Sequence, residues 1–123
     1  MLTNVVEGDQ RKCEQYWPDQ EPQEYGPFTV TVAEQQVFAD YVVRTLQVMV
    51  SLILLAIAFL LPFSFPFHSS LQKDGSVKKV IQFHFTDWPD HGVPEYAGPI
   101  LAFLHRVNAQ HTSSKGPLLI HCR

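Results

Sequence analysis

Cysteine is scarce in this chain: Cys13 and Cys122 are the only two. One pair cannot build the multi-bridge framework of a small secreted domain. Met1-Leu2-Thr3-Asn4 is followed by charged residues, the reverse of the order in a secretory signal. A reducing, cytosolic setting is therefore expected for the folded part. Basic clusters are lacking too. With a net charge of −3 and no run of Lys or Arg, the chain carries no electrostatic footprint for nucleic acid. His68, His84, His91, His105 and His111 fall at no ligand spacing with Cys or carboxylates, so neither a metal nor another cofactor is expected. Apolar content is not lacking: 46% hydrophobic against 17% charged separates the chain from a disordered tail, and 123 residues suffice for one small domain.

Charge is missing altogether from Thr45 to Gln72. Val48 to Leu61 is a continuous run of 14 residues with Ser51 as its one polar member, roughly 21 Å long as a helix. A membrane span takes about 20 residues. Pro62 and Pro66 make the following Phe-rich stretch a poor helical continuation. A span over residues 48–67 is one reading, but it would separate flanks that resemble strands of one sheet. A second reading is that about 48–70 is translated intron. Phe, Leu, Pro and Ser codons are rich in pyrimidines, and removing the segment joins Thr45-Leu46-Gln47 to Leu71-Gln72-Lys73-Asp74-Gly75 as an ordinary strand–turn–strand. This second reading is preferred.

Elsewhere the pattern is regular. Phe28-Thr29-Val30-Thr31-Val32 and Ala39 to Val48 are β-rich, and the Asp74-Gly75 turn leads into a strand over Val77–Phe85. Pro99 suits the first turn of a helix running to about Gln110, where Ile100, Phe103, Leu104 and Val107 form one apolar stripe. Gly116-Pro117 introduces a last expected strand, Leu118-Leu119-Ile120. The class is α/β or α+β with a mixed sheet.

Chemistry gathers at two places. Phe83-His84-Phe85-Thr86-Asp87-Trp88-Pro89-Asp90-His91-Gly92-Val93-Pro94 has an aspartate in a loop bounded by a bulky ring, prolines and a glycine. Ile120-His121-Cys122 places a thiol at the tip of an apolar segment. A thiolate attacks phosphorus and an acid protonates the leaving oxygen, so Cys122 as nucleophile and Asp90 as acid make a coherent pair. Pro-Asp and His-Gly are also ordinary turn pairs; the agreement of many positions together decides for the loop. Trp17-Pro18-Asp19 repeats the tripeptide after Lys12-Cys13-x-x-Tyr16 but lacks the Gly-Val-Pro tail, so Asp19 is not the acid. Cys13 is expected to act as a small packed hydrophobe.

These motifs resemble the classical receptor-type protein-tyrosine phosphatases, over residues 1–47 and 71–122. Pro94-Glu95-Tyr96 with Pro99 to Leu104 leans toward the leukocyte-antigen-related receptors. The resemblance implies one partial domain over 1–123, interrupted by the apolar insert at about 48–70, with the mixed sheet of that fold left incomplete. It implies hydrolysis of phosphotyrosine proteins through a cysteinyl-phosphate on Cys122. Asp90 is acid and then base, Trp88 and Pro89 support its loop, and His121 tunes the thiol. Asp90 marks an active-type domain. The family's phosphate-clamping Arg stands six residues after the Cys, whereas this sequence has Arg123 adjacent and its terminal carboxylate nearby, opposing the thiolate. The 123-residue chain is thus expected to be inactive alone and to fold poorly, its activity belonging to a parent receptor on the cytoplasmic side of the membrane. Alternatives are a non-catalytic interaction fragment and a small single-span membrane protein.

Overall fold

A computed structural model describes residues 1–50, 77–89, 91–111 and 116–122. Two short hairpins open it. β1 (Val6–Glu7) and β2 (Gln10–Arg11) pair antiparallel, with Glu7 opposite Gln10 across Gly8-Asp9. β3 (Gln23–Tyr25) pairs antiparallel with β4 (Phe28–Val37), Tyr25 opposite Phe28. The loop between them is Gly26-Pro27, with Gly26 at φ +58°. A two-residue turn that needs positive φ first and tolerates a fixed negative φ second selects that dipeptide.

β5 (Tyr41–Val50) follows β4 after residues 38–40, where the Phe38 N–H donates to the Tyr41 carbonyl at 2.9 Å. So short a connection excludes the crossover a parallel pair requires, so β4 and β5 run antiparallel. β6 (Lys78–Phe85) completes a four-stranded sheet in the order β3-β4-β5-β6. α1 (Gly98–Gln110) carries Pro99 in its first turn, where a missing N–H costs nothing. Among the described residues, strands with one helix give the expected α+β class, and every pair of described register is antiparallel.

The chain divides into two compact units. The first comprises Met1–Tyr16, Gln35–Arg44 and Ile81–Arg123. Its core is Phe85, Phe103 and Val107, with Leu2, Tyr41, Phe83, Trp88 and Ile100 packed against them. Phe103 meets Phe83, Phe85 and Tyr41 edge-on, at centroid distances of 6.1, 5.3 and 5.5 Å. The second unit, Trp17–Glu34 and Thr45–Val80, buries Trp17, Val30 and Leu46.

The structure departs from the sequence pattern in places. The Leu118-Leu119-Ile120 strand is not formed: these residues are irregular, Leu119 is 83% exposed, and just beyond them the Leu2 N–H donates to the His121 carbonyl at 3.2 Å. An apolar, β-prone run becomes a strand only beside a ladder partner. Leu104 leaves the helical stripe and is 47% exposed, while Ile100, Phe103 and Val107 keep to the core. Residues 48–50 of the expected insert belong to β5. The remainder of 48–70, most of the 48–67 span and the Asp74-Gly75 turn lie in residues 51–76, outside the described ones. No helix among the described residues is long and apolar enough to cross a membrane.

Candidate functional site

The first four residues tie the two chemical segments together. The Met1 ammonium donates to the Phe83 carbonyl at 2.9 Å, and the Phe85 N–H donates back to the Met1 carbonyl at 3.0 Å. Asn4 Nδ2 donates to the Thr86 carbonyl at 3.0 Å, and the Leu2 N–H to that of His121. The end of β6 and the His121-Cys122 segment thus share one backbone partner. Cys122 is exposed.

His121 is engaged on both ring nitrogens. Nδ1 lies 2.9 Å from the Cys122 carbonyl oxygen, and Nε2 lies 2.9 Å from the Tyr16 hydroxyl. A carbonyl only accepts, so Nδ1 carries a proton. In the neutral imidazole Nε2 is then an acceptor, and Tyr16 donates to it. The alternative acceptor for that proton, Met1 Sδ at 3.9 Å, is weaker and farther. Tyr16 in turn accepts from Gln82 Nε2 at 2.8 Å, and Gln82 Oε1 accepts from Arg44 Nη1 at 2.9 Å.

Arg44, Gln82 and His84 are buried polar residues on strands β5 and β6. Arg44 Nε donates to Gln35 Oε1 at 2.8 Å, and Nη1 also lies 3.4 Å from His84 Nδ1. His84 Nε2–H donates to the Thr3 carbonyl at 2.8 Å, leaving Nδ1 to face the guanidinium as an acceptor. Burial holds the His84 imidazole below its ordinary pKa. The Thr3 bond opposes this, and the charges of Arg44 and the chain's amino group reinforce it. Burial pushes the Tyr16 phenol up, partly offset by the Gln82 N–H. Cys13, whose thiol lies 3.7 Å from the Asn4 carbonyl, is raised by burial, with Arg11 opposing and Glu14 and Glu7 adding.

The loop after β6 is anchored from inside. Trp88 packs against the Phe85–Phe103–Val107 cluster. Pro89 lines a shallow pocket with Asp87, Pro94, Glu95, Tyr96 and Pro99. Gly92 adopts φ +85°, a conformation other residues rarely take. Asp90 lies outside the described residues. Of the expected site residues, His121 and Cys122 stand together, and Trp88 and Pro89 sit at the root of the loop, one against the core and one at the pocket.

Sequence reasoning did not find Tyr16, Gln82 or Arg44. One signal was present: β5 alternates Val42, Arg44, Leu46 at its buried positions, and a charge at a core register position asks for partners.

Residues 1–54 and 61–123 match the protein-tyrosine phosphatase family. Tyrosine-protein phosphatase 99A of Drosophila melanogaster is 35% identical over 125 residues, covering 99% of this chain and 8% of that protein. Human receptor-type tyrosine-protein phosphatase zeta is 38% identical over 128 residues, covering 99% of this chain and 5% of that protein. Receptor-type tyrosine-protein phosphatase F of Danio rerio is 40% identical over 124 residues, covering 99% of this chain and 5% of that protein. The chain thus spans less than a tenth of the length of the curated relatives it matches.

Proposed function

The chain belongs to the protein-tyrosine phosphatase family, and we propose that it supplies the nucleophile and the acid of a receptor-type enzyme acting on phosphotyrosine proteins. Cys122 Sγ, as thiolate, attacks phosphorus while the bond to the tyrosyl oxygen breaks and Asp90 passes its proton to that oxygen. Asp90, now a carboxylate, takes a proton from water. The water oxygen attacks phosphorus, the S–P bond breaks, and inorganic phosphate leaves with the thiolate restored. His121 steadies the segment that presents the thiol, and Trp88 and Pro89 hold the loop that carries Asp90. The observation that carries this reading is the pairing of an exposed Cys122 with a His121 bound on both ring nitrogens. The parent receptor places the site on the cytoplasmic side of the membrane.

The reading is tested in the longer protein that carries this segment. A phosphotyrosyl peptide is mixed with it, quenched in acid, and the Cys122 peptide weighed by mass spectrometry. Phosphate on Cys122, absent in Cys122→Ala and slow to form in Asp90→Ala, is the expected result. Turnover that survives Cys122→Ala would overturn the assignment, and peptide binding without turnover in the unaltered protein would favour a non-catalytic interaction role.

A further inference from the structure

We infer that Arg44 and Gln82 are positioning residues for the His121-Cys122 segment: they hold the Tyr16 hydroxyl as a donor to His121 Nε2 and so fix the neutral imidazole as its Nδ1–H tautomer. The inference deepens the function proposed above, on which its catalytic meaning rests; the tautomer itself is read without turnover.

Every bond in the chain of contacts has a direction. A guanidinium has donors and no acceptor. Facing Gln82 at 2.9 Å, Arg44 therefore obliges the amide to turn its oxygen inward. The Gln82 NH2 must then point the other way, and it meets the Tyr16 oxygen at 2.8 Å. With that lone pair taken, the phenolic proton is directed to its best remaining acceptor, His121 Nε2 at 2.9 Å. The imidazole proton is left on Nδ1, where it meets the Cys122 carbonyl. Each member has one orientation compatible with its neighbours, and the Arg44 end and the Cys122 carbonyl favour the same tautomer from opposite sides.

Arg44 is itself pinned. Its Nε bond to Gln35 and its approach to His84 Nδ1 fix the guanidinium plane, so it cannot rotate to release Gln82. His84 is held in the matching tautomer by its bond to the Thr3 carbonyl. Burial keeps the Tyr16 phenol un-ionised, so its proton remains available to donate. A lysine at position 44 would supply charge without the fork that orients an amide.

The test is made on the longer protein that carries this segment, with 15N-labelled histidine at about pH 7.5, reading the two ring nitrogens of His121 by long-range 1H–15N correlation. The unaltered chain is expected to show Nδ1 protonated and Nε2 bare. Gln82→Glu keeps size and the Arg44 contact but replaces the NH2 with an acceptor. Tyr16 then donates to the introduced carboxylate and accepts from His121, so the tautomer ratio moves toward Nε2–H by at least about fivefold, the worth of one hydrogen bond. Gln82→Met, which merely deletes the donor, moves it part of the way and serves if the carboxylate hinders folding. An unaltered chain with Nε2–H or free-imidazole behaviour would overturn the inference. So would Gln82→Glu or Gln82→Met variants that keep the original ratio. A failed phosphocysteine trap leaves this readout untouched, so the two readings fail separately.

Discussion

The ring of Phe103 on α1 stands edge-on to Phe85 on β6, centroids 5.3 Å apart and planes at 65°. Phe85 is fully buried, and this contact joins the helix to the strand from which the Trp88 loop departs. Phe85→Ala or Phe103→Ala is expected to lower stability by about 3–5 kcal/mol, the usual cost of deleting a buried ring. Chemical denaturation followed by far-UV circular dichroism measures it; a loss below about 1 kcal/mol would mean the cluster is not the core of this unit.

Helix α1 offers a paired comparison. Leu104→Lys alters a largely exposed position and is expected to shift stability by no more than about 0.5 kcal/mol. Val107→Lys puts an ammonium into the Phe85 cluster and is expected to unfold the unit. Melting both variants side by side distinguishes the observed stripe from one that includes Leu104.

Acid should weaken the first unit through His84. Its folded pKa lies below its unfolded value, so on acidification the unfolded chain takes up a proton that the folded chain refuses. Stability is full well above about pH 6.5 and falls as pH drops through that unfolded value, levelling below the folded one. The denaturation midpoint measured from about pH 8 to 5 should decline, and His84→Gln should flatten the decline. The Met1 amino group, also lowered by burial, contributes a separate slope starting near its ordinary value of 8.0.

The two thiols should react in a fixed order. Cys122 is exposed, whereas Cys13 is half-buried and its thiol is pushed up by burial. Iodoacetamide at neutral pH is expected to label Cys122 first, with Cys13 following only under denaturant. Peptide mapping against time reads this directly, and equal rates would contradict the packing of Cys13 against Asn4.

The Gly26-Pro27 turn can be tested by one methyl group. A Cβ at Gly26 would meet nothing within 4 Å, so only the positive φ opposes it. Gly26→Ala is expected to cost about 1–2 kcal/mol by chemical denaturation.

Local signals carried much of this structure into the sequence. β-branched density located the first half of β4 and most of β5, the run Val77–Phe85 located β6, and Pro99 with the Ile100–Phe103–Val107 spacing located α1. The Gly8-Asp9 hairpin had its own signal, since Gly-Asp between two short runs marks a turn, but two-residue strands leave almost no periodicity to support it. Leu118 to Ile120 misled because composition records a taste for strands and not the presence of a neighbour. At the candidate site, His121, Cys122 and Trp88 could be singled out because motif residues are close in sequence. Gln82 and Arg44 were not, because each hydrogen-bonds to residues many positions away and nothing local distinguishes an amide on β6 that orients a tyrosine from one facing water.

Tyr16 and His121 are 105 positions apart in the sequence. At about 5–20 residues per second, a ribosome delivers the histidine roughly 5–20 s after the tyrosine. During that interval β5 and β6 have emerged, and Arg44 and Gln82 can already orient the phenol while its imidazole partner is still to come. The socket is finished before the part that enters it, and the thiol next to that imidazole is among the last atoms of this segment to find its place.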